Sequence, residues 1–373
     1  MMIPENPVAV SEEETMRLQW LVELERWPRV IALLQRIQER TELTPEQRLM
    51  LALSHYGVGQ NAVGRLLLER LIEEPDPSRR VVLEYARHEG LDPERGARAY
   101  AALERWIAAS PNDSAAIAEI SRLDVANDKV EVAITRLDSL LAQAEKPRPQ
   151  LMLLRAQLHA ASGNTDAALR DARTAIDQEP RLLGAAEVLA ALLLANDQRR
   201  EAFATLRAAE DAGTLGPAGY VQLGNLYRAM GFDEPAIDSL EKALAAGSRE
   251  PRLKNDIAFL LAKNRQRLGD ALQLAKDARR ELDNDPNTTD TLGYVYLQSG
   301  SPEQALPLFQ DAAARAVPPQ PSFFYHLGIA LESLGRREEA AHAFERALSI
   351  SATFPEAPDA RRALAGATSV DAS

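Results

Sequence analysis

Leu223-Gly224-Asn225-Leu226-Tyr227-Arg228-Ala229-Met230-Gly231-Phe232-Asp233-Glu234-Pro235-Ala236-Ile237-Asp238-Ser239-Leu240-Glu241-Lys242-Ala243 is the stretch whose pattern decides the fold. Its small and apolar residues fall at Leu223, Gly224, Tyr227, Gly231, Ala236, Leu240 and Ala243. The same spacing returns as Leu292, Gly293, Tyr296, Gly300, Ala305, Phe309, Ala312, and again as Leu327, Gly328, Leu331, Gly335, Ala340, Phe344, Ala347. Working outward, Pro45, Arg80, Ser114, Pro149, Leu183, Pro217, Pro251, Pro286 and Pro321 mark unit starts at intervals of 34 or 35 residues. A helix pair cannot bury its apolar face alone and must stack on the next, so such a period specifies an array.

Each residue of the pattern has a packing reason. Gly or Ala at the eighth place (Ala156, Ala190, Gly224, Ala258, Gly293, Gly328) lets two helix backbones approach closely. Ala at the twentieth place (Ala133, Ala168, Ala202, Ala236, Ala305, Ala340) does the same from the second helix. Gly163, Gly231, Gly300 and Gly335 lie between the helices, where a left-handed turn is needed. Asn164, Asp233 and Ser301 are placed to cap the second helix.

Where it is complete, this pattern resembles the tetratricopeptide repeat, most fully over 149–354. The resemblance implies an all-α, right-handed α-solenoid of about ten helix-turn-helix units. The expected organisation is a divergent N-terminal helix pair over 1–44 and one continuous array over 45–354. A short capping helix at 359–364 and a disordered tail complete 355–373. The run from Asp290 to Ala330 is similar to bacterial repeat proteins of secretion and exopolysaccharide-export systems.

In tetratricopeptide proteins the first helices of successive units line a groove for peptides or partner helices. Carried onto this sequence, the resemblance places Asn225, Arg228, Arg252, Asn255, Phe259, Lys263, Asp290, Tyr294 and Tyr325 on that wall. Amides such as Asn225 and Asn255 both donate and accept, as holding a peptide backbone requires. Arg228, Arg252 and Lys263 offer cations to an acidic or carboxylate-bearing segment, and Phe259, Tyr294 and Tyr325 offer rigid apolar faces. The carboxylate-clamp subfamily that holds chaperone tails is not matched, because Val221 and Asp256 stand where its Lys and Asn would.

Composition narrows the function classes. The net charge of −12 argues against tracking nucleic-acid phosphates, which takes clustered Lys and Arg. The chain has no cysteine, which removes disulfides, thiolate metal sites and cysteine nucleophiles. His55, His88, His159, His326 and His342 are scattered and show no i, i+4 pair, so no metal or cofactor is expected. No phosphate loop or nucleophile elbow appears, and an enzyme is not expected. The apolar run 188–195 is too short to span a bilayer, and the start lacks a secretory signal's basic and apolar regions. A cytoplasmic location is the default expectation, with the periplasm the alternative for a trimmed chain.

The leading expectation is a non-catalytic scaffold that binds a peptide or partner protein in its groove, with self-association left open. Two alternatives accompany it: a periplasmic assembly factor for envelope or polysaccharide export, and an accessory region docking a separately encoded enzyme.

Overall fold

The computed structural model describes residues 10–370, with side chains through Ala365. Among them are twenty-one helices and no strand, and they part into two compact units, Met1–Pro180 and Arg181–Ser373. The parting falls where Leu183 is 76% exposed and Gly184 takes φ 79° ahead of a short helix, so no apolar side chain at the unit's start position is buried there.

The first unit is built of helical hairpins. They pair α1 (Glu12–Glu23) with α2 (Trp27–Gln38), α3 (Pro45–Gly57) with α4 (Asn61–Ile72), and α5 (Arg79–Glu89) with α6 (Gly96–Ala109). They continue with α7 (Ser114–Ala126) and α8 (Val130–Ala142), then α9 (Pro149–Ala161) and α10 (Thr165–Gln178). Thr44 and Ser11 form capping boxes, so α3 and α1 begin where a hydroxyl can satisfy an orphan backbone N–H. Successive first helices α5, α7 and α9 touch, which joins the hairpins into a stack.

The second unit repeats the design. Its hairpins are α11 (Ala185–Ala195) with α12 (Arg199–Asp211), α13 (Pro217–Ala229) with α14 (Asp233–Ala245), and α15 (Leu253–Lys263) with α16 (Leu268–Glu281). Then come α17 (Pro286–Gln298) with α18 (Pro302–Arg315), α19 (Pro321–Ser333) with α20 (Arg337–Ile350), and a final α21 (Ala357–Val370). Proline opens α13, α17 and α19 because the first helical N–H has no intrahelical partner to lose. The last helix outruns the expected 359–364 segment and continues through Val370; the tail's final residues, 371–373, lie outside the described residues.

Close approach is visible at the small residues. A Cβ added at Gly293 would stand 2.8 Å from Phe309 Cε1, and one at Gly328 would stand 2.5 Å from Phe344 Cε1. Ala236 and Ala305 are fully buried. The inter-helix turns take left-handed backbone at Gly163, Gly231, Gly300 and Gly335, as the pattern requires. Asp128, Asp197 and Arg265 adopt the same turn without glycine. Of the three expected caps, Asn164 accepts from Ala167 N at 3.3 Å. Asp233 instead becomes the first residue of α14, and Ser301 makes no side-chain cap.

Candidate functional site

Four first helices of the second unit, α13, α15, α17 and α19, carry the residues that the sequence assigned to a groove. Contacts join α15 to α17 and α17 to α19, so equivalent places on these helices come side by side. Residues one repeat apart can therefore touch although 34 or more positions separate them.

Aromatic rings form a row across three of these helices. Phe259 on α15 lies 5.2 Å from Tyr294 on α17, centroid to centroid, and Tyr294 lies 4.9 Å from His326 on α19. Tyr325 stands 5.9 Å from His326 and contacts Phe344 and Phe354 on its other sides. Phe259, Tyr294 and Tyr325 are half-buried, with part of each ring left accessible. Burial pushes the Tyr294 and Tyr325 hydroxyls up, and the charge of Glu356 adds to both.

Asp290 lies beneath this row and does not face a partner. Its two carboxylate oxygens meet His326 Nδ1 at 2.9 and 3.0 Å, and both residues are buried. Burial pushes the Asp290 carboxyl up. Burial alone would lower the His326 imidazole, but the neighbouring carboxylate carries it above its ordinary value. The pair ties α17 to α19 and fixes the ring on which Tyr294 and Tyr325 rest.

The three cations expected to meet an acidic segment are already held. Arg228 Nη2 donates to Asn225 Oδ1 at 3.2 Å. Arg252 pairs with Asp285 at 3.1 Å, and Lys263 Nζ with Asp233 Oδ2 at 2.7 Å. Asn255 is only 7% exposed; its Nδ2 donates to Asp256 Oδ1 at 3.4 Å, and its Oδ1 is buried with no donor. Burial raises the Asp256 carboxyl, against the opposing charge of Arg228.

The structure thus brings Phe259, Tyr294 and Tyr325 into one row, sets Asn225 on Arg228, and draws Arg252 and Lys263 toward carboxylates of their own unit. Sequence reasoning passed over His326 and Glu356. A signal for His326 was present: it lies 36 residues after Asp290, one repeat and about one place onward, where adjacent first helices meet.

Among the described residues no group of three or more His, Cys, Asp or Glu side chains could hold a metal ion. No helix among them is long and apolar enough to cross a membrane. The arrangement offers an accessible aromatic surface and hydrogen-bonding groups, the equipment of recognition.

A tetratricopeptide repeat family model matches residues 119–180 and 291–360. No curated protein matches the sequence. Among solved structures, the chain is similar to YrrB, described as a TPR protein with an unusual peptide-binding site. The identity is 24%, over 51% of this chain and 97% of that one, with a TM-score of 0.42. It is similar also to the APC/C hetero-tetramer Cut9-Hcn1, at 14% identity over 97% of this chain and 78% of that one, TM-score 0.49. A tetratricopeptide repeat protein from Parabacteroides merdae ATCC 43184 aligns at 15% identity over 77% of this chain and 99% of that one, TM-score 0.36.

Proposed function

We propose that this chain, a tetratricopeptide-repeat protein, is a non-catalytic scaffold whose second unit binds an extended segment of a partner protein along its first helices. The observation that carries this reading is the row Phe259, Tyr294 and Tyr325, half-buried on three successive first helices. Rigid aromatic rings with one accessible face are what binding hot spots are made of, since little side-chain entropy is lost when they are covered. Asn255 does not add to it: the expected main-chain clamp there is out of a partner's reach, because the residue is buried and its Oδ1 is enclosed by the chain.

In this reading the half-buried Asn225 holds main chain, and the rings take the partner's apolar anchors. The test begins with identification of proteins that co-purify with the native chain. Asn225→Ala with Tyr294→Ala should then weaken the captured complex by about 2 kcal/mol or more. Circular dichroism confirms that the double variant is folded. A folded double variant that binds as tightly as the parent would move the site off the first-helix face.

A further inference from the structure

A cavity of about 700 Å³ lies between α16 and α17. The first of these helices and the turn after it line the cavity with Gln273, Lys276, Arg279, Arg280 and Asp283, and α17 closes it with Leu292 and Tyr296. Steps of three and four residues put Gln273, Lys276 and Arg280 on one face of α16. Leu292 and Tyr296 are four apart on α17, and Tyr294 stands between them, about 160° round the helix from each. The cavity and the aromatic row therefore lie on opposite sides of α17.

Two of its cations are unanswered. Arg280 is paired with Asp277, and Gln273 Nε2 donates to the same carboxylate at 3.0 Å. The side chains of Lys276, which is exposed, and Arg279, which is half-buried, make no hydrogen bond or ion pair among the described residues. Nor does the hydroxyl of the half-buried Tyr296 have a partner among them. Asp283 is the one carboxylate in the lining; it is exposed and pairs with none of these cations, and its backbone carbonyl accepts from Arg315 Nη2 at 3.2 Å. With Arg280 matched by Asp277 and one cation set against Asp283, the cavity keeps an excess of a single positive charge, on a chain of net charge −12.

We infer that this cavity is a second docking place, separate from the groove, and receives an acidic segment of a partner protein. One aspartate or glutamate carboxylate of that segment is held by Lys276, Arg279 and the Tyr296 hydroxyl. A carboxylate takes two parallel hydrogen bonds from a guanidinium, and the ammonium and the phenol supply further donors to the same oxygens. The Tyr296 ring covers the methylene groups of the incoming side chain. A volume of this size admits a few side chains of an extended segment and not a folded surface. The charge count favours a carboxylate over a phosphate: one negative charge balances the excess, and a second would be set against Asp283.

The experiment uses the full chain and two fluorescently labelled peptides of equal length, one of Gly, Leu and Glu and the other of Gly, Leu and Gln. Anisotropy titrations should show the glutamate peptide bound about tenfold more tightly, although a chain of net charge −12 repels a polyanion at long range. Lys276→Gln with Arg279→Gln should remove that preference and flatten its salt dependence. Arg279 lies in the last turn of α16, where a cation also steadies the helix end. Lys276→Glu, one turn earlier, is the second variant and should abolish the preference by itself; circular dichroism confirms that both variants are folded.

Equal binding of the two peptides, binding of neither, or a preference that both variants keep would overturn the inference. So would a preference lost with Asn225→Ala and Tyr294→Ala but not with Lys276→Glu, which would seat the acidic segment in the groove. Inorganic phosphate that displaces the glutamate peptide where acetate of equal ionic strength does not would make a phosphoryl group the occupant, and the acidic segment would fall. The groove itself is decided separately, by the captured partner.

Discussion

The two units use the same hairpin and hold it together differently. In the first, carboxylates fasten the seams. Glu89 accepts from Tyr56 and from Arg95, Asp124 from Tyr100 and Arg136, and Asp171 from Arg155. In the second, helices close directly on glycine: Gly224 against Leu240, Gly293 against Phe309, Gly328 against Phe344. The eighth place shows part of the exchange, for in the first unit it holds Arg87 and Ser121 beside Ala52 and Ala156. A polar seam depends on every partner being present, whereas a glycine seam depends on volume.

The largest effect that would separate the two comes from Asp124, which is fully buried. Asp124→Ala leaves Arg136 and the Tyr100 hydroxyl without their acceptor and should cost about 3 to 5 kcal/mol in urea unfolding. Hydrogen exchange should loosen around α6, α7 and α8 and leave the second unit unchanged. Equal loosening in both units would show that the seams are not independent.

A smaller loss is expected at a glycine seam. Gly328→Ala forces a methyl group into the Phe344 ring and should cost about 1 to 3 kcal/mol. Adding Phe344→Leu should return part of that, which a double-mutant cycle measures; purely additive losses would mean that the backbone rather than the ring limits the space.

The mildest contrast is in acid. Asp113 accepts from Arg79, Trp106 and the backbone of Ala115 and Ala116, and the Arg79 hydrogen bond heads the causes that hold its carboxyl well below the usual carboxylate range. A folded-state value below the unfolded one contributes stability that is present above the unfolded value near 3.8 and lost as pH falls through the folded one. The first unit should therefore weaken on acidification below that range, and Asp113→Asn should flatten the dependence. An unchanged pH profile of melting in the variant would remove Asp113 from the account.

What the sequence made legible was whatever repeats. The 34 or 35 residue interval carries the hairpins, the small places and most turns, because each is imposed by one unit touching the next in a fixed way. Long-range polar pairs escape that reading. Tyr56 reaches Glu89 across 33 positions, Tyr100 reaches Asp124 across 24, and Asp290 reaches His326 across 36. Their separations follow side-chain length and direction as well as period. For the same reason Arg252 and Lys263 read as free cations in the sequence, whereas their partners Asp285 and Asp233 are found only once the helices are placed. The turns at Asp128, Asp197 and Arg265 were hidden because the backbone there is left-handed without the residue that announces it.

The contact of α15 with α17, and of α17 with α19, also sets a ruler. Packed helices stand about 8 to 10 Å apart, and a polyproline II segment advances about 3.1 Å per residue with three residues per turn, so such a segment crossing them meets a new helix roughly every third residue. A partner lying along this face would be read in triplets, with one side chain in three presented to the array and the other two turned to water.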